Sequence, residues 1–392
     1  MKFFHLSDLH IGQRLLGRDM TEERQAVLEQ IVQLSKEHRP DAIVIAGDLY
    51  DRAVPGAEAV AQFDAFLGAL TTAVPESTIM MISGNHDSPV RVNAYRGLLE
   101  QNRVYMIGLP PQNAGEHIEK VTLQDAFGPV NFYLLPFIRP GMVRKLLTEE
   151  KRVEPDAPLS YEQAVEQMIA REPINDEERN VLVSHQFYLP IGADAQQIER
   201  ADTEVRTVGN IDAISARVLE KFDYAALGHI HKPMTVGKKK FRYCGSPLAT
   251  SVSEAGQQKG IILVELGGKE MLETSILPLK PLHPVRVVRG TLEEVTAQPS
   301  EDLVSVTLTD PADLDIFDMR DRLRAAFPNL LETRRETSGM AELEEPVQVE
   351  QVLDPYALCC GFLGEVNEEQ SALLREALNA IGEVEVKCGP YN

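Results

Sequence analysis

The 392-residue chain lacks any long apolar run. Stretches such as Ala42–Ala46 and Ile79–Ile82 fall far short of the roughly 20 residues that a membrane span needs. An apolar leader is missing too, because His5, Asp8 and His10 fall within the first ten residues, so the expected location is the cytoplasm. Cysteine is scarce. Cys244, Cys359, Cys360 and Cys388 show no C-x-x-C spacing, and in a reducing compartment they read as free thiols without an assigned function. Basic charge is also short: 39 Lys and Arg against 60 Asp and Glu leave a net charge of −21. That balance argues against a protein that simply coats nucleic acid, since neutralising phosphates takes clustered Lys and Arg. The deficit is uneven. Residues 281–392 carry 22 acidic and 9 basic side chains, so −13 of the charge sits there and −8 on the first 280 residues, where a local basic surface stays possible. Internal repeats and low-complexity tracts are absent.

What is present is an ordinary globular composition, 43% hydrophobic and 25% charged, at a length that suggests two or three domains. Short apolar segments alternate with helical patterns. Lys2–Leu6, Asp41–Ala46, Thr78–Ile82, Val104–Ile107, Val130–Phe137, Val181–Val183 and Tyr224–Leu227 read as strands. Several are apolar throughout, as strands buried on both faces are. Helices are expected from about Asp19 to Arg39, Gly56 to Thr72 and Pro89 to Gln101. Residues 139–180 read as a polar surface excursion with a helix at Tyr161–Arg171, and Tyr243–Pro247 and Gly260–Leu266 as strands of a second sheet layer. After about Lys280 the composition changes. Strands at Val285–Val288, Leu303–Leu308 and Leu330–Arg334 and a helix at Ile316–Phe327 form a small α+β module over 281–337. Residues 338–392 read as an acidic linker and a terminal helix, Asn367–Ile381, with an apolar stripe.

The strand ends carry the chemistry. Lys2–Leu6 runs into Ser7-Asp8-Leu9-His10, the strand to Ala46 into Gly47-Asp48-Leu49-Tyr50-Asp51, and the strand to Ile82 into Ser83-Gly84-Asn85-His86-Asp87. Val181–Val183 leads to Ser184-His185, and Tyr224–Leu227 to Gly228-His229-Ile230-His231. In α/β proteins ligands gather outside the carboxyl ends of the strands. Mixed nitrogen and oxygen donors without thiolate suit manganese, iron or zinc better than magnesium. The donors are too many for one ion. Two ions roughly 3.5–4 Å apart, sharing Asp48 as the natural bridge, use them up, and such a pair activates water for phosphoester hydrolysis.

The set D-x-H, G-D-x-x-D, G-N-H-D, H and G-H-x-H resembles the calcineurin-like metallophosphoesterases over residues 1 to about 265. Leu6-Ser7-Asp8-Leu9-His10, Gly228-His229-Ile230-His231-Lys232-Pro233 and the added C-terminal module resemble, within that family, the bacterial nuclease subunits that work with an ABC-type ATPase. The resemblance implies an α/β four-layer sandwich over residues 1–280 with a small α+β capping domain over 281–337. It implies one ion on Asp8, His10, Asp48 and His231 and a second on Asp48, Asn85, His185 and His229, most simply Mn²⁺. His86 is then free to protonate the leaving 3′ oxygen, with Asp51, or alternatively Asp87, orienting its ring. The implied activity is DNA exonuclease and endonuclease action in repair and recombination, by a homodimer within a heterotetramer that includes the ATPase. The terminal segment is the expected ATPase contact.

For DNA, Lys238, Lys239, Lys240 and Arg242 form the densest basic run and suit phosphate contact, as do Arg14 and Arg18 in the first loop. The same site on small phosphodiesters, nucleotides or phosphoproteins is the alternative. Against it stand Asp87, where protein phosphatases usually carry Glu, and a C-terminal module that small substrates do not require.

Overall fold

Successive residues of a strand face opposite sides, and in this chain both sides are apolar. In the strands Lys2–Leu6, Ala42–Ala46 and Thr78–Ile82, the residues Phe4, Leu6, Ile43, Ile45, Ile79 and Met81 face one core. Their neighbours Phe3, Ala42, Val44, Ala46, Met80 and Ile82 face another. The computed structural model, which describes residues 1–192, 212–238, 240–269, 271–310, 316–336, 367 and 370–374, resolves this into four layers.

Two six-stranded sheets share the central core. The first is ordered 272–278, 260–266, 2–6, 42–46, 78–82, 104–107 and the second 234–235, 241–243, 224–228, 179–185, 128–135, 119–125. Each has four consecutive parallel strands. Phe3 closes the space between the sheets with edge-to-face contacts to Phe132 at 5.3 Å and Tyr224 at 5.7 Å. Outside the first sheet lie helices Thr21–His38 and Ala57–Ala73, whose Val27, Leu28, Ile31, Phe63, Phe66 and Leu70 fill that core. The first begins where Asp19 Oδ1 accepts the Thr21 N–H at 2.8 Å and stops at Arg39, which takes a left-handed φ of 46°.

Three elements differ from the sequence expectation. Residues 139–180 are no surface excursion: helices Pro140–Glu149 and Tyr161–Ala170 cover the second sheet, with Val143, Leu146, Leu147, Val165, Met168 and Ile169 buried. Pro89–Gln101 is not one helix but two short ones, Pro89–Val92 and Arg96–Leu99, broken where Tyr95 takes a φ of +60°. Gly260–Leu266 joins the first sheet rather than the second, antiparallel to Lys2–Leu6.

The C-terminal module has parallel strands Val285–Gly290, Leu303–Leu308 and Leu330–Arg335 with helices Leu292–Thr296 and Ile316–Ala326 around its own core. It is tied to the first unit by His283 to Glu23 at 2.5 Å, by Gln30 Nε2 to the Lys280 carbonyl at 2.7 Å and by Arg18 to Asn329 at 2.5 Å. Of the expected terminal helix, residues 370–374 are helical and the rest, apart from Asn367, lies outside the described residues. Cys244 is a buried free thiol; Cys359, Cys360 and Cys388 are outside the described residues. No described helix is long and apolar enough to cross a membrane.

Phe132 is fully buried at the contact between sheets. Phe132→Ala is expected to cost about 3–5 kcal/mol in denaturant unfolding, whereas a cost under about 1 kcal/mol would mean that the sheet interface is not tightly packed there.

Candidate active site

The parallel strands of both sheets deliver their carboxyl ends to one place, at Leu6, Ala46 and Ile82 on one side and His185 and Gly228 on the other. The loops that follow are laced together by main-chain bonds: Asp8 N to Gly47 O, His10 N to Asp48 O and Ile11 N to Leu49 O, each 3.0 Å. The residues that turn inward adopt backbone that side chains rarely take. Asp8, His10 and Asp48 have φ of 53°, 43° and 51°, and His229 has 103°. Strain of that kind persists only where the surroundings enforce it, and it concentrates at functional sites. Two glycines make the approach possible. A Cβ on Gly47 would overlap the His185 ring, and one on Gly84 would overlap the Asp48 carboxylate and main-chain nitrogen.

Asp8, His10, Asp48, His185, His229 and His231 are all buried. Their donor atoms fall into overlapping groups, Asp8 with His10 and His231, Asp8 with Asp48 and His185, and His10 with Asp48 and His86, each within 4.8 Å. Hydrogen bonds fix which atoms face inward. His185 Nδ1 donates to the Ala46 carbonyl at 2.7 Å, which leaves Nε2 3.0 Å from Asn85 Oδ1 and 3.2 Å from Asp48 Oδ2. Asp48 Oδ1 accepts the His86 main-chain N–H at 2.9 Å, so its Oδ2 lies between His185 Nε2 and His10 Nε2, the latter at 3.7 Å. Asp8 accepts the His229 N–H at 3.0 Å, and His229 Nδ1 meets Asn85 Oδ1 at 2.9 Å. Lone pairs of several groups thus converge without enough protons between them, and His10 Nδ1 is buried without a hydrogen-bond partner. Such a cluster calls for cations.

Electrostatics agree with that reading. Burial alone would lower the His185 pKa, but the charge and hydrogen bond of Asp48, then Asp8, push it up to about 9. Burial raises Asp8. At Asp48 burial pushes the same way but is outweighed by the imidazoles of His185 and His86, which hold it well below the usual carboxylate range.

Half-buried His86 sits over this cluster, its ring 4.9 Å from that of His10. Its Nδ1 donates to the main-chain carbonyl of Asp51 at 2.9 Å, so Nε2 is the atom left to act. The Asp51 carboxylate does not orient His86, contrary to the expectation; it turns toward exposed Arg52 at 3.4 Å, because the carbonyl already occupies the ring's N–H. Asp87 does not orient it either. Its carboxylate accepts the N–H groups of Gly84, Leu49 and Tyr50 at 2.8, 3.1 and 2.9 Å, pinning two loops together.

The basic run does not line the site. Lys240 O accepts from Ala225 N, at the amino end of the strand Tyr224–Gly228, whereas His229 follows its carboxyl end. Lys238 pairs with Glu220 at 2.8 Å, Lys240 donates to the Phe222 carbonyl, Arg242 donates to Thr274 at 3.0 Å, and Lys239 is outside the described residues. Arg14 is exposed in the hairpin after His10, while Arg18 is engaged with Asn329. Motif reading passed over Thr250 and Glu254, which pack behind His231; Ser251-x-x-Glu254, a capping-box pattern, was the available signal.

Residues 1–233 match the family Calcineurin-like phosphoesterase. The chain belongs to this family. Residues 281–365 match an SbcD-type C-terminal family described as Type 5 capsule protein repressor C-terminal domain. A relative from Staphylococcus epidermidis (strain ATCC 12228 / FDA PCI 1200), named as the SbcD nuclease of SbcCD, is 30% identical over 339 residues, 84% of each chain. Among solved structures, the protein TT1561 of Thermus thermophilus is 14% identical, covers 70% of this chain and 98% of its own, and has a TM-score of 0.37. A dimetal phosphatase from Danio rerio is 15% identical with the same coverage and a TM-score of 0.40. As a calcineurin-like phosphoesterase the chain is a divalent-metal enzyme, and its His, Asp and Asn donors fit such ions.

Two outcomes are expected. Gly84→Ala must displace Asp48, costing roughly 1–3 kcal/mol in unfolding and weakening Mn²⁺ binding in a metal titration. In the metal-free protein His185 is raised from 6.5 to about 9, so its stabilising contribution is complete below pH 6.5 and is lost as pH rises through about 9. An entering ion must displace that proton. Mn²⁺ affinity should therefore climb over the same interval with proton release in calorimetry, and a flat profile would exclude this competition.

Proposed function

We propose that the chain is the nuclease subunit of a DNA-processing complex, hydrolysing phosphodiesters with two divalent ions, most simply Mn²⁺. The observation that carries this is Asp48 Oδ2 standing between His185 Nε2 and His10 Nε2, the position of a bridging carboxylate. On this reading Asp8, His10, Asp48 and His231 hold one ion, and Asp48, Asn85, His185 and His229 the other. When bound, the ions supply Lewis acidity, activating water and neutralising charge on the phosphoryl group. The chain does the rest. Asp87 and the Asp51 carbonyl hold the His86 loop, and His86 Nε2, facing outward, carries a proton to the leaving 3′ oxygen. The nuclease name of the Staphylococcus relative and the match of the C-terminal module favour DNA over small esters.

The same relative supports an SbcC-type ATPase as partner, in a heterotetramer built on a homodimer of this chain. Residues 281–337 then cap the DNA beside the site, with Arg14 the remaining candidate for phosphate contact. Residues 338–392 are the proposed ATPase contact, and binding that survives deletion of 352–392 would remove them from that role.

The decisive assay is hydrolysis of linear double-stranded DNA and of a small phosphodiester, with Mn²⁺ or Mg²⁺ and with or without the ATPase. DNA cleavage that needs Mn²⁺ and becomes ATP-regulated with the partner is expected. Cleavage of the small ester alone would favour a small-molecule or phosphoprotein esterase. His86→Ser is expected to keep both ions while hydrolysis falls by about 10²–10⁴. Loss of metal would place His86 among the ligands.

A further inference from the structure

Behind His231 lies a buried ion pair that the proposed hydrolysis does not use directly. Glu254 and Lys259 are 2% and 6% exposed, and their charged ends meet. Burying two charges costs several kcal/mol each, and apolar residues of similar volume commonly stabilise as well or better. Stability is therefore a poor reason for the pair.

Its hydrogen bonds have a direction. The Glu254 carboxylate only accepts, and Oε1 lies 2.5 Å from Thr250 Oγ1, so the threonine hydroxyl donates to it. Thr250 Oγ1 must then accept from His231 Nδ1 at 2.7 Å. This places the imidazole proton on Nδ1 and leaves the Nε2 lone pair facing Asp8 and His10, 3.0 Å from His10 Nε2. Glu254 Oε1 is held by the main-chain N–H groups of Thr250 and Ser251, both at 3.0 Å, and Oε2 by Ser246 Oγ at 3.2 Å and by Lys259. Lys259 Nζ also donates to the His231 carbonyl at 3.0 Å. One ion pair thus grips both the ring and the main chain of the same histidine.

We propose that Glu254 and Lys259, acting through Thr250, are positioning residues that fix the tautomer and aim of His231 for the first divalent ion. The proposal rests on the two-ion reading above. Partners of this kind typically govern metal affinity by 10–100-fold.

The test is Mn²⁺ titration of the full chain by calorimetry and electron paramagnetic resonance, with thermal unfolding of the metal-free protein alongside. Glu254→Gln is expected to weaken one of two ions by about 10–100-fold and spare the other. Thr250→Val, which leaves the ion pair intact, should do the same while Thr250→Ser restores wild-type binding. Two ions bound by Thr250→Val as tightly as by wild type would overturn the positioning role alone. A wild-type chain that binds no Mn²⁺ would overturn the two-ion reading and the positioning role together.

Discussion

Two buried carboxylates, Asp8 and Asp48, set the terms for the rest of this molecule. A buried charge is tolerated only when it is paired and hydrogen-bonded, and these two share one pocket. The chain answers with main-chain N–H groups from His86 and His229 and with imidazoles from both sheets. Because those partners come from strands in different sheets, the pocket exists only where the two sheets face each other. The apolar interface that brings them together is therefore as much a part of the site as the donors themselves.

Rigidity follows from the same demand. Left-handed backbone at Asp8, His10 and Asp48 would relax in an isolated loop. Here the loops are bonded to one another, and Asp87 adds three more bonds. The donors are thus held in place before any ion arrives, which is what a site dedicated to positioning and charge neutralisation requires.

Much of this was legible in the sequence because apolar strands ended abruptly in Asp, His or Asn, and because Phe3 to Leu6 or Ile43 to Ala46 are apolar at every position but His5. What could not be read was non-local. Nothing in Gly260–Leu266 says which sheet it joins. Pro89–Gln101 has helical composition, and only packing shows that Tyr95 breaks it. Val143, Leu146 and Leu147 have helical spacing amid polar residues, so the helix they bury was hidden by composition. The basic run was misjudged for a reason that was available: Lys238 to Lys240 precede a strand parallel to Tyr224–Gly228, and residues before a parallel strand lie at the end opposite those that follow it. Main-chain donors and acceptors, such as the Asp51 carbonyl, leave no mark in a sequence at all.

The late strand beside Lys2–Leu6 has a consequence for biosynthesis. During translation the first sheet keeps a bare edge until residue 266 has left the ribosome, more than 250 residues after that edge is made. Over that time the strands to Ile82 can pair, yet His229 and His231 do not exist, and Asp8 and Asp48 face a half-built pocket. Contacts so distant in sequence form slowly, and an open apolar edge is prone to wrong pairing. The nascent chain is thus at its most aggregation-prone just before it becomes able to hold metal.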